Sequence, residues 1–179
     1  MILRHSYYSL FIPNQAVGAN LVYFDLFNAV GSCFDVQVHS VEPVVSGAVA
    51  VTGLVAVDLF LTRTTAVGTG GTAATVEGSS LTAATICGID NSQPIQPSIT
   101  ARLTPTGGAT AGAVLSSISV YTEESNAGTY PGHLDLARAF DPTVAPIKVP
   151  QGTGLRVVQG AVASVGNIGF NVVFRLERK

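Results

Sequence analysis

Apolar and polar side chains alternate along the closing segment of the chain. Phe170, Val172, Phe174 and Leu176 fall on one side, and Asn171, Val173, Arg175 and Glu177 on the other. A period of two marks a half-buried strand, and this one reads as the strand on which the core is built. Just upstream, Leu155, Val157 and Gln159 interleave with Arg156, Val158 and Gly160. The small, turn-prone run Ala163 to Asn167 between these segments predicts an antiparallel hairpin. In the lead-in, Val149 to Gly154, Pro150 fixes φ while Gly152 and Gly154 permit a sharp turn.

The same alternation recurs upstream. In Ala19 to Phe27, Val22, Phe24 and Leu26 oppose Tyr23, Asp25 and Phe27. Phe34, Val36, Val38 and Ser40 then oppose Asp35, Gln37 and His39, until Pro43 stops the strand or confines it to an edge. With the turn Asn28 to Gly31 between them, these two predict a second hairpin. Gly53 to Arg63 is the clearest strand of the first half, with Val55, Val57, Leu59 and Leu61 against Ala56, Asp58, Phe60 and Thr62. Further strands are expected from Ile99 to Leu103 and from Val114 to Thr122, with Ile147 and Val149 leading into the closing pair. Thr64 to Pro97 is the exception. It reads as a long protruding loop around Gly68-Thr69-Gly70-Gly71, with a weak strand or short helix near Ser80 to Thr85. His133 to Phe140 has room for one or two helical turns before Pro142.

These elements give seven to nine strands without βαβ alternation. They predict an all-β fold, an antiparallel β-sandwich with a jelly roll as one form of it, because short strands between Gly/Pro turns bury their faces sheet on sheet. Residues 1–18 read as an N-terminal arm and 19–179 as a single sandwich domain. The aromatics of the arm (Tyr7, Tyr8, Phe11) suggest that it is tied down, on its own sheet or on a neighbour.

Composition changes the picture in one respect. Of 179 residues, 47% are apolar and only 11% charged, so few groups are available to solvate a free exterior. Part of that exterior is expected to be covered by other subunits. A net charge of −2 removes the electrostatic case for nucleic acid. Arg175, Arg178 and Lys179 read as a solvated chain end. No apolar run reaches the ~18 residues of a membrane helix, and no signal peptide is visible, so synthesis in the cytoplasm is expected. Cys33 and Cys87 are expected to be free, buried thiols.

Candidate chemistry is thin. His133 and Asp135, near Glu123, Glu124 and Asp141, form the one local concentration of titratable groups. Their setting reads as solvated loop or helix, in which positions two apart do not share a face. His5 and His39 stand alone in the sequence. The Gly68 to Gly71 run lacks the Lys-Ser/Thr and the following helix of a phosphate loop. A carbohydrate-binding sandwich would use aromatic platforms, but the chain has no Trp and five Tyr, and Tyr7, Tyr8, Tyr121 and Tyr130 serve packing equally well. No catalytic residue, metal or cofactor is expected.

LFNAVGS (26–32), VAVDLFLTRTTAVGTGG (55–71), SITARLTPTGGATAGA (98–113) and the ending IKVPQGTGLRVVQGAVASVGNIGFNVVFRLE together resemble small virion structural proteins of tailed bacteriophages. The resemblance implies a capsid decoration, or cement, protein: a sandwich on the outer capsid surface, commonly a homotrimer, that bridges neighbouring major capsid protein subunits. A tail or baseplate sandwich is the runner-up. No functional residue transfers, because the family has no catalytic motif. The residues expected to meet partners are Tyr7, Tyr8 and Phe11 of the arm and Thr69 and Gly70 of the long loop.

Overall fold

The computed structural model describes residues 6–46, 55–89, 95–107, 111–122, 134–138 and 145–179. Among them the chain forms twelve strands and one 3₁₀ turn, Leu136–Arg138. The strands are β1 (Tyr7–Ala16), β2 (Val22–Asn28), β3 (Phe34–Ser46), β4 (Val55–Thr64), β5 (Thr72–Ala73), β6 (Thr75–Val76), β7 (Thr85–Gly88), β8 (Ile99–Leu103), β9 (Ala111–Thr122), β10 (Ile147–Val149), β11 (Thr153–Gln159) and β12 (Asn167–Arg178). They make two six-stranded sheets, ordered β10-β3-β12-β1-β7-β6 and β5-β8-β2-β11-β4-β9. All pairings are antiparallel except β6 with β7. The fold is a β-sandwich, as the alternating rows predict.

β12 holds its central place between β3 and β1, and Phe170, Val172, Phe174 and Leu176 all point into the core. Val57, Leu59 and Leu61 of β4 and Leu155, Val157 and Gln159 of β11 are buried as their alternation requires. The rings of Tyr23 and Phe24 lie 5.2 and 5.5 Å from Phe170, and Tyr8 stacks on Phe174 at 5.5 Å. Full burial of side chains this size stabilises by roughly 1.5–3 kcal/mol each.

Two expectations are corrected and a third is resolved. Neither hairpin forms: β11 and β12 lie in different sheets, and so do β2 and β3. In a sandwich, an apolar row can face the opposite sheet as well as a partner in the same sheet, so alternation alone does not distinguish a hairpin from a crossover. The strand count of seven to nine is low because the sequence leaves β1, β5 and β6 unassigned, although Thr85 does begin β7. The N-terminal segment is tied down on its own sheet, one of the two anchorages expected for it: β1 runs inside that sheet, bonded to β12 on one side and β7 on the other.

Two local features depart from simple alternation. The β2–β11 register shifts between Val157 and Val158, so that Tyr23 as well as Phe24 turns inward, and the Tyr23 hydroxyl donates to Gln159 Oε1 at 2.8 Å. Burial pushes its phenol above the ordinary value. β3 continues through Pro43 as far as Ser46, where β10, paired only with residues 36–38, no longer covers its outer side. A proline needs such an edge.

Candidate functional site

The partner-contact residues of the N-terminal strand divide between its two faces. Tyr8 is a core residue, so its expected contact role is withdrawn; Tyr7 and Phe11 are half-buried on the outer face of their sheet. Tyr7 lies 5.3 Å from the His39 ring, and Phe11 stands beside Asn171 of β12 and Thr85 of β7. The outer face continues through Gln37, Arg175 and Glu177. Arg175 Nε donates to Gln37 Oε1 at 2.6 Å, and Gln37 Nε2 donates to Glu177.

Thr69 and Gly70 are exposed, yet their loop does not protrude. It lies across the outer face of the other sheet, held at four points. Gly68 N–H donates to Asp25 Oδ2, Thr69 N–H donates to Gly107 O at 2.7 Å, Arg102 Nη1 donates to Gly70 O at 3.0 Å, and β5 pairs with β8. Gly68 is required by close approach, since a Cβ there would sit 2.4 Å from Asp25 Oδ2 and 2.8 Å from Pro105 Cβ. At Gly71, φ is +59° and a Cβ would lie 2.1 Å from Leu103 O.

Beneath this loop is the residue that sequence reasoning passed over. Asp25, 1% exposed, lies opposite Arg102 of β8 and Arg156 of β11. Burial pushes its carboxyl above the ordinary value; the backbone N–H groups of Gly68 and Arg102 and the two guanidinium charges pull against this without cancelling it. Asp25 Oδ1 is buried without a hydrogen-bond partner. Beside the cluster, Val22, Pro105, Thr106, Gly107 and Arg156 line a pocket of about 230 Å³. That is below the ~300 Å³ at which small-molecule sites begin.

At the edge of the other sheet, Asp35 is held by Lys148 at 2.7 Å and Lys179 at 3.2 Å. Nearby, Asn28 Nδ2 ties the end of β2 to the Phe34 and Val149 carbonyls at 2.9 and 3.0 Å. Asp135 Oδ1 accepts from Val41 and Ala137 N–H, both at 2.8 Å, so this carboxylate ties β3, beyond its pairing with β10, to the 3₁₀ turn. His5, Glu123, Glu124, Tyr130, His133 and Asp141 lie outside the described residues. Among the described residues no group of three His, Cys, Asp or Glu is placed to hold a metal. Cys33 and Cys87 are free as expected but not buried, one being exposed in the turn after β2 and the other half-buried on β7. No helix among the described residues is long and apolar enough to cross a membrane.

The four sheet edges are unequal. β5 and β6 have two residues each. β10 has three, lies between Pro146 and Pro150, and carries Lys148. All three are blunted in the ways that proteins use to prevent edge pairing. β9 has twelve residues, AGAVLSSISVYT, with neither a charge nor a proline.

No protein-family model matches this chain, and no curated protein or solved structure matches it.

Proposed function

We propose that the chain is a non-enzymatic virion structural protein of a tailed bacteriophage, and specifically a capsid decoration protein that binds the outer shell and bridges major capsid subunits. The observation that carries this reading is apolar exposure in a chain with so few charges. Val30 and Leu81 are each 83% exposed and Val162 is 70% exposed, all in connections between strands. Isolated exposed apolar residues are ordinary, but a chain with 11% charged residues, against about 25% in a typical domain, has few groups with which to solvate its exterior. Neighbouring subunits supply the missing cover. The mechanism is mass action: a ligand that binds only the assembled shell stabilises it by RT ln(1 + [L]/Kd), and many copies add. A tail or baseplate position is the alternative within the same class.

The direct test is electron microscopy of intact particles carrying the labelled chain, with co-sedimentation of the purified chain and assembled shells. Density on the outer shell is the expected outcome; density confined to the tail moves the assignment there, and none in either place overturns it. Truncating residues 1–13 is not informative, since that removes most of an interior strand. Leu81→Ser with Val162→Ser leaves the core intact and is expected to weaken shell binding about tenfold, for a loss near 1.4 kcal/mol.

A further inference from the structure

We infer that β9 is a self-association edge, through which two copies of this chain pair antiparallel about a two-fold axis and join their six-stranded sheets into one of twelve. Three of the four edge strands have no more than three residues, and the part of β3 that runs beyond β10 contains Pro43 and is capped at Val41 by Asp135, so among the described residues β9 is the edge best suited to an extended sheet-to-sheet contact. A contact between identical copies through one strand is isologous, hence β9 against β9.

The strand divides into a guarded and an unguarded half. Its register against β4 shifts between Leu61 and Thr62 and again between Thr62 and Thr64, which puts bulges in the Ala111 to Leu115 half. Bulges bend an edge away from a would-be partner. From Ser116 to Thr122 the register against Val55 to Leu61 is unbroken, leaving a regular seven-residue edge. There Val120 is buried, Ile118 is half-buried, and Ser117, Ser119 and Tyr121 are exposed on the outer face.

Pairing about Ser119 sets Ile118 against Val120 and Ser117 against Tyr121. Directly opposed like charges are what usually disfavours self-pairing of a strand, and this one has none. The expected particle is therefore a dimer, not the trimer that the resemblance implies. The inference is independent of shell binding: failure to bind shells leaves it standing, and its own failure leaves the decoration reading standing.

Sedimentation of the full chain across a concentration range tests it, together with amide hydrogen exchange. The expected result is a dimer in which the Ser116 to Thr122 amides that point away from β4 exchange at least about tenfold more slowly as dimer replaces monomer. Ser119 Oγ donates to Asp58 Oδ1 on the neighbouring strand, so Ser119→Asp puts two carboxylates face to face at the axis with no cation to neutralise them, and it is expected to raise the dimer dissociation constant about tenfold or more. Asn171→Asp, on the exposed side of an interior strand, is expected to leave it unchanged. A monomer at every concentration, a trimer with β9 amides unaffected, or a folded Ser119→Asp that dimerises like the parent overturns the proposal. Should Ser119→Asp fail to fold by circular dichroism, the concentration dependence of wild-type exchange decides alone.

Discussion

The two sheets each carry a buried aspartate between two cations, and the protein shifts their acidities in opposite directions. Asp25 lies on an outer face between Arg102 and Arg156 and is roofed by the Gly68 to Gly71 loop. Asp35, with a side chain 4% exposed, lies near a sheet edge between Lys148 and Lys179, whose side chains are at least half exposed. At Asp25 desolvation prevails and the carboxyl is raised. At Asp35 desolvation is again the largest single effect and acts upward, but hydrogen bonds and charge attraction from the two lysines together outweigh it, and the carboxyl is lowered. Counting cations around an acid does not give the sign of its shift. What matters is whether the charge-assisted contacts form at the acid itself or are diverted elsewhere, as Arg102 is to Gly70 O and Arg156 is to Thr62 Oγ1.

The sharpest way to break the comparison is to remove Asp25. Asp25→Ala leaves the buried Gly68 N–H without an acceptor and two guanidinium groups without the anion between them. The expected loss is about 2–4 kcal/mol in urea unfolding, with the roofing loop exchanging its amides faster. Gly68→Ala reaches the same place from the loop side: a Cβ 2.4 Å from the carboxylate must displace the loop, at a cost of about 1–3 kcal/mol. If both variants melt like the parent, the loop is not anchored by this pair.

Opposite shifts also mean opposite pH dependence, the next largest effect. Asp35 is lowered on folding, so its contribution is fully present above the unfolded carboxylate value of about 3.9 and is lost as pH falls through its folded value. Asp25 is raised, so the folded state holds its proton more tightly than the unfolded chain does. Its effect on stability is most favourable below about 3.9 and declines as pH rises towards its folded value. Urea unfolding from pH 3 to pH 7 is expected to show that Asp35→Asn flattens the acid limb, whereas Asp25→Asn removes a decline on the other side of 3.9. The same sign for both variants contradicts the assignment.

How much of this was legible in the sequence follows from the range of the interactions involved. The core was legible because alternation is local: Val57, Leu59 and Leu61, or Phe170 through Leu176, announce their buried side within a few residues. Connectivity was not, because an apolar row is satisfied equally by a strand beside it and by a sheet facing it, which is why both hairpins were misread. Asp25 was assigned correctly to the side away from Phe24 and Leu26. Its burial depends on Gly68 and Pro105, and its flanking cations on Arg102 and Arg156, all distant in the chain. The nearest sequence signal was the Gly68 to Gly71 run itself, since such density of glycine fits close approach to another backbone as well as it fits a flexible tip. The missing charge along β9 was readable from the outset, but it gained meaning only once the other edges were seen to be short.

The smallest effect concerns the two lysines, and it sharpens why Asp35 and Asp25 differ. Both lysine side chains are at least half exposed, so each contact exchanges water for a carboxylate at modest gain. Lys179→Ala is therefore expected to destabilise less than Asp35→Asn, because Lys148 stays in place and the Lys179 backbone N–H still donates to Cys33 O. Salt separates the two regions further. At 1 M the Debye length is about 3 Å, so the difference between Lys179→Ala and the parent is expected to shrink towards zero, while the loss caused by Asp25→Ala, under its roof, changes little. Equal salt sensitivity at both sites would mean that Asp25 is in contact with solvent and that the loop above it opens readily.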